Sequence, residues 1–263
     1  MALCKDDITT HAKKFNYNII YPPRTDATPL EVLTKQDSSL LRWGHLSDVI
    51  NSSMPLPVIH ENNNPLNIEG VVSSSHDSTV GIAILGKLIS AVGGNLGIKT
   101  AYKNAKRLNF QYRDVTSYYV MPVDLDRYIS NGVPDSGLYS TAEMLQKDKL
   151  FIFTAVLKAK KIIVEANKEG GGSIEVDVLT IKEIVGGNIA VSAENAENTK
   201  ISYQGKIPAG FGFQAILMDF DDGKIILKPS GSGKMVAAEK GEAVEPDSKY
   251  ETMVFDEDYV SLP

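Results

Sequence analysis

Residues 81–98 carry one charge, Lys87, and repeat small side chains at Gly81, Ala83, Gly86, Ser90, Ala91, Gly93, Gly94 and Gly97. A helix loses about 1 kcal/mol at each interior glycine relative to alanine, so a helix here must lean on packing rather than on propensity. Its length would be about 27 Å, borderline for a bilayer, and its Gly, Ser, Asn and Lys content argues against constitutive insertion. The stretch is apolar enough for a membrane and weak enough as a helix to take another structure. Asp77 or Ser78 stands where its N-cap belongs. After it come Lys99, Lys103, Lys106 and Arg107, a basic patch. Then Leu108, Phe110 and Tyr112 alternate with Asn109, Gln111 and Arg113, the period of a half-buried strand. The alternation slips near Asp114 and Val115, which predicts a bulge, and resumes through Tyr119, Met121, Val123 and Leu125.

The rest of the chain divides around that stretch. Residues 5–15 read as a short helix and residues 18–21 as a strand stopped by Pro22 and Pro23. Residues 29–33, Pro-Leu-Glu-Val-Leu, read as a short helix with proline at its first position. Residues 40–50 hold Trp43 in an irregular apolar segment. Residues 54–66, with Pro55, Pro57, Pro65 and three consecutive asparagines, are a loop carrying at most an edge strand. Residues 126–138 are a loop with room for a short helix. Strands are predicted over 150–159 and 162–166. A turn falls at Gly170, Gly171 and Gly172, and alternation follows at Ile174, Val176 and Val178 and again at Ile189, Val191 and Ala193. Further strand pattern runs from Ile201 through Leu217. Asp221-Asp222-Gly223 between two apolar runs is a hairpin signal. Residues 182–187 are ambiguous, and residues 229–234, Pro-Ser-Gly-Ser-Gly-Lys, form a linker.

The formal charge of −6 over 263 residues is unevenly placed. Residues 236–263 hold eight acids and two lysines, so the tail carries all of it and the body is neutral. Such asymmetry often marks a segment that masks or regulates another. Tyr250, Met253, Val254, Phe255, Tyr259, Val260 and Leu262 lie among those acids, too many large apolar groups for a solvated acidic tail. The tail is read as docked, with Tyr250, Phe255 and Tyr259 as anchors.

Several chemistries fall away. The single cysteine, Cys4, allows no internal disulfide and no cysteine-based zinc site, and the four histidines lack ligand spacing. By residue type alone Cys4 reads as a buried, inert thiol. The sequence Gly-Ser-Gly-Lys at 231–234 lacks the first glycine and the Ser/Thr of a phosphate-binding loop, where Lys228 and Met235 stand. No dinucleotide fingerprint, nucleophile elbow or triad spacing is present, and no catalytic residue is assigned. The basic patch lacks interleaved aromatics and the chain is acidic, which argues against nucleic acid. The N-terminus has no apolar signal-peptide core, so a chain made soluble in the cytoplasm is expected.

Cys4, the strand Tyr-Asn-Ile-Ile-Tyr-Pro-Pro-Arg at 17–24, and the segment at 29–33 together resemble bacterial gasdermins. So do the Gly- and Ala-rich helix followed by Tyr-Lys-Asn-Ala-Lys-Arg-Leu-Asn-Phe at 102–110, and Leu-Phe-Ile-Phe-Thr-Ala-Val-Leu-Lys at 150–158 leading to 162–166. The order and spacing of several segments carry the resemblance, which covers nearly the whole chain. It implies an α+β fold with a twisted, mainly antiparallel central sheet and surrounding helices. Residues 1–235 would be the pore-forming body and residues 236–263 an inhibitory tail. It implies a non-enzyme that a protease activates by removing the tail, cut near Lys240, Asp247 or Lys249. Asp247 suits a caspase-like protease and either lysine a trypsin-like one. The body, a monomer when inactive, would then oligomerise on inner-membrane lipid into a large pore, with cell death limiting phage spread. No metal or dissociable cofactor is expected, and the resemblance implies a palmitoyl group on Cys4. Lys99, Lys103, Lys106 and Arg107 suit anionic lipid; a solvated helix end is the alternative reading of the same patch. In a membrane state, Ile174, Val176 and Val178 would face lipid while Glu175 and Asp177 face a wet lumen. An ordinary sheet with one wet face predicts the same alternation. The alternative function is a lipid- or ligand-binding module without pore activity.

Overall fold

The computed structural model describes residues 16–36, 39–63, 73–91, 99, 101–135, 143–144, 150–170, 172–185, 189–221, 224–228 and 260–261. Three long strands form its frame: β7 (Arg107–Val120), β9 (Leu150–Asn167) and β11 (Lys200–Asp221). β9 pairs antiparallel with both β7 and β11 along most of its length and is buried on both faces. Around them lie β1 (Asn18–Arg24), β2 (Glu31–Gln36), β3 (Ser39–His45), β5 (Ile59–Asn62), β6 (Ser73–Asp77), β10 (Ile189–Ala193), β12 (Lys224–Leu227) and β13 (Val260–Ser261), eleven strands in one sheet. A second small sheet pairs β4 (Ile50–Ser52) with β8 (Gly132–Pro134). The helices are α1 (Leu46–Val49), α2 (Ser78–Ala91), α3 (Pro122–Ser130) and α4 (Val178–Val185). Strands take 57% and helices 19% of the structure, so the fold is more β-rich than the expected α+β.

Several local expectations need correction. Residues 31–36 are strand, not helix, because Val32 and Leu33 bury between β3 and β9 and pair with both. Pro29 and Leu30 form the preceding turn, with Leu30 at φ 71°. Pro22 and Pro23 do not end β1. They fall where its register with β11 jumps from Ile19–Gly212 to Arg24–Gly210, a place that needs no ladder N–H from them. Residues 40–45, read as irregular, are β3. Residues 121–125 leave the strand pattern: Pro122 starts α3, which buries Leu125, Tyr128 and Ile129. Residues 150–167 make one strand rather than two. Ile174, Val176 and Val178 are not in a strand, and of the ambiguous stretch residues 182–185 belong to α4, the rest lying outside the described residues. The first predicted helix and the 229–234 linker lie outside the described residues.

The expected irregularity at Asp114 is present and runs across the sheet. Arg113 pairs with Lys161 and Val115 with Ala159, but Asp114 (φ 52°) and Lys160 do not pair. On β11 the register jumps from Gln204 to Ala209 at the same level. The apolar cluster under α2 crosses this seam: it holds Leu108, Phe110, Tyr112, Ile162, Val164, Ile201 and Tyr203 on one side and Val115, Ala155, Leu157 and Phe211 on the other. Toward the far end of the sheet α1 and α3 cover Val32, Val120, Leu150, Ile152, Ile216 and Ile225.

Candidate functional site

The strands β6, β7, β9 and β11 lie side by side, each antiparallel to the next. Asp77 pairs with Arg107, Arg107 with Asn167, and Glu165 with Lys200. The chain therefore leaves and re-enters this four-strand set twice at one end, through residues 78–106 and residues 168–199. The roots are stapled: Ser78 N–H donates to the Lys106 carbonyl at 3.0 Å, and Lys106 N–H to the Asn167 carbonyl at 2.9 Å. Neighbouring antiparallel strands are normally joined by short hairpin loops, and here each pair is joined by a helix-bearing excursion.

The first excursion opens with α2. Thr79 N–H donates to Asp77 Oδ1 at 2.9 Å, the expected cap. Leu85 and Ile89 are buried against the sheet. Gly81 has a packing reason to be glycine, since a Cβ there would lie 2.8 Å from the Leu108 Cβ. The excursion returns through a turn whose Tyr102 is buried and bonds the buried Tyr203 of β11, hydroxyl to hydroxyl, at 2.7 Å. Burial pushes the pKa of both phenols well above the usual tyrosine value. One small apolar cleft of about 40 Å³ lies here, lined by Leu85, Ile89, Ile162, Ile189 and Tyr203. That volume suits about one water-sized molecule.

The second excursion turns at Gly170 (φ 89°), closed by Lys168 N–H to the Gly172 carbonyl at 2.6 Å. Ile174 N–H donates to the Ala166 carbonyl and Val176 N–H to the Asn198 carbonyl, so the backbone is held without a ladder. Asp177 then caps α4: its carboxylate accepts from Leu179 N–H, Thr180 N–H and Thr180 Oγ1. The Thr180 bonds hold that carboxyl below its usual pKa. Val176 and Ile181 are buried, whereas Leu179 is 72% exposed. On the face of the sheet away from α2, Lys161 pairs with Glu194 at 2.9 Å and Lys200 with Glu165 at 3.9 Å.

Lys99, Lys103, Lys106 and Arg107 are all exposed at the end where both excursions leave. The sequence reading missed Lys168 and the Tyr102–Tyr203 pair. It also passed over a contrast it could have found: residues 78–106 hold four lysines and no acid, and residues 168–199 six acids and two lysines. Cys4, Lys240, Asp247, Lys249, Tyr250, Phe255 and Tyr259 lie outside the described residues. From the tail, Val260 and Ser261 form β13, which pairs parallel with Ile20 and Tyr21 of β1 and lies beside β3. Among the described residues no three His, Cys, Asp or Glu groups are placed to hold a metal. No helix among them is long and apolar enough to cross a membrane.

Residues 20–225 match the profile described as the Bacterial Gasdermin Family. A gasdermin from Desulfuromonadales bacterium is 36% identical over 88% of this chain and 88% of its own length. One from Lysobacter enzymogenes is 29% identical over 93% of this chain and 90% of its own. Among solved structures, a bacterial gasdermin from Bradyrhizobium tropiciagri superposes with a TM-score of 0.64. It covers 98% of this chain and 96% of that one at 15% identity, a likeness of fold.

Proposed function

The chain belongs to the bacterial gasdermin family, whose members are pore-forming proteins and not enzymes, and from that premise we propose a specific cycle for it. At rest the chain is a monomer whose residues 236–263 hold the body inactive. A protease removes that segment by cutting near Lys240, Asp247 or Lys249. The body then oligomerises on the inner membrane, and residues 78–106 and 168–199 refold from helix and turn into two membrane-crossing hairpins.

The observation that carries this reading is the shared exit end of the two excursions. Extending β6 with β7, and β9 with β11, gives four adjacent antiparallel strands that emerge in the same direction. Residues 78–106 allow about 14 per strand and residues 168–199 about 16, against the roughly 9–11 that a membrane strand needs. Before insertion, Lys99, Lys103, Lys106 and Arg107 surround the exit and suit first docking on anionic headgroups at about 1 kcal/mol each. The pairing of β13 with β1 supports a docked tail, with Tyr250, Phe255 and Tyr259 as its anchors. A palmitoyl group on Cys4 would add a second membrane signal, since one acyl chain anchors weakly alone. The cellular result is death of the cell, in defence against phage.

The test is dye release from vesicles after cleavage at a protease site inserted between residues 240 and 250. Release on cleavage, with rings on the membrane by negative stain, is the expected result. Lipid binding without release would overturn the pore reading in favour of a lipid-binding module. For Cys4, the expected finding is an acyl mass adduct that hydroxylamine removes; its absence would sink the modification.

A further inference from the structure

If the registers of the resting sheet continue through both excursions, they fix which side chains face each other in the membrane. Resting on the pore reading above, we infer that Lys99 and Glu175 form a direct cross-strand ion pair on the lumen face of the inserted hairpins.

The argument is one of register. β7 and β9 are paired so that Arg107 faces Asn167, Asn109 faces Glu165 and Gln111 faces Ile163. Continued past Arg107, the same register sets Ala105 opposite Glu169 and Lys103 opposite Gly171. Four residues further it sets Lys99 opposite Glu175, eight residues beyond the present end of the pairing. Directly opposite residues share a face of the sheet. Lys99 and Glu175 therefore fall on the face of Arg107 and Asn167, and Asp177 sits diagonal to Lys99 on that face. This is the face that already carries the cross-strand pair of Glu165 with Lys200. The new pair extends an existing polar column.

The opposite face supports the same phase. It continues the side of Leu108, Phe110, Val164 and Ile201, now buried under α2. The registers of β6 with β7 and of β9 with β11 put Val80, Ile82, Ile84 and Leu88 on it from the first hairpin, and Ile174, Val176 and Val178 from the second. On that face Lys106, Lys168 and Glu197 fall within the first residues, at headgroup level, with Tyr102 after them, and Lys182 falls at the hairpin tip, about 50 Å along the strand at about 3.3 Å per residue and past the apolar band. Both hairpins thus turn their apolar side the same way without a change of register. Lys99 and Glu175 sit about 26 Å along the strands from the present edge at about 3.3 Å per residue, which at a tilt of about 40° is about 20 Å of depth, within the roughly 25 Å apolar band of a membrane barrel. In the resting chain both side chains are exposed and carry no ion pair with each other. The contact belongs to the inserted state. It also joins the lysine-only first hairpin to the acidic second; the two excursions together hold six lysines and six acids, so their charge cancels within each copy.

The experiment uses full-length chain with the inserted cleavage site and vesicles of phosphatidylglycerol and phosphatidylethanolamine. Lys99→Cys with Glu175→Cys, oxidised by copper phenanthroline and mapped by mass spectrometry, should give a 99–175 disulfide after cleavage on vesicles and none before. Lys103→Cys with Glu175→Cys, four residues off register, should give none. Lys99→Glu and Glu175→Lys should each slow release by about two- to fivefold, and the double reversal should restore it. Neither reversal should move the melting temperature of the uncleaved chain. Leakage without a 99–175 link, or a preferred 103–175 link, overturns the pairing and leaves the pore reading standing. Cleaved wild type that releases no dye removes both.

Discussion

The Tyr102–Tyr203 pair offers the sharpest test of how the first excursion is held down. Each hydroxyl is buried, at 2% and 5% residue exposure, and each is the other's partner at 2.7 Å. Tyr102→Phe removes one oxygen and leaves the Tyr203 hydroxyl buried without its partner. That costs about 1–3 kcal/mol, whereas replacing both members of a buried pair by apolar groups of the same shape is nearly neutral. Tyr102→Phe and Tyr203→Phe should therefore each lower the melting temperature of the uncleaved chain, by about 2–4 °C per kcal/mol for a chain of this size. The double variant should recover most of that loss. Because Tyr102 lies in the excursion and Tyr203 in the frame, the single variants should also shorten the lag before dye release at equal extent of cleavage. The assay is a melting curve for four proteins and a release trace for the same four. A double variant as unstable as the two single losses added together would refute the reasoning, since the hydroxyls would then act independently.

Three further outcomes follow from the same geometry. Gly81→Ala should destabilise the resting chain despite a helix-propensity gain of about 1 kcal/mol, because the added Cβ meets Leu108 at 2.8 Å and overpacking costs about 1–3 kcal/mol; a raised melting temperature would count against it. Deleting residues 260–263 should give slow dye release without protease, through loss of the β13–β1 pairing, and a silent truncated chain would count against that strand as a restraint. Both phenol pKa values are raised by burial, so the neutral hydroxyls contribute stability that is complete below about pH 10 and lost as pH climbs above it. The melting temperature should therefore fall above pH 10, less steeply in the Tyr102→Phe, Tyr203→Phe double variant.

Much of the frame was legible because period-two patterning is strong where one face is wet. Leu108 through Tyr112, Ile189 through Ala193 and the Asp221–Lys224 hairpin all pair as their alternation predicts. The slip at Asp114 was readable too, since a bulge must break the alternation. The failures share a cause. Val32 and Leu33 bury on both faces of the sheet, so no alternation marks them, and Pro29 offered a plausible helix start. Ile174, Val176 and Val178 do alternate, yet at rest the chain satisfies their backbone through Ala166 and Asn198 and gives Asp177 to a helix cap. The alternation alone is compatible with a strand, and the tertiary contacts select the turn and helix seen here. The Tyr102–Tyr203 pair left no sequence signal, because its members are 101 residues apart.

The seam through Asp114, Lys160 and residues 205–208 bears on how such a chain can remodel without coming apart. A flawless ladder would transmit strain along the full length of β7, β9 and β11. A line of missing pairs interrupts it, and opening tends to be confined to cooperative units of this kind. In the cycle proposed above, the exit end sheds α2 while the end under α1 and α3 keeps its ladder, with one apolar cluster bridging the line. Amide exchange within β7, β9 and β11 should then be fastest along that line.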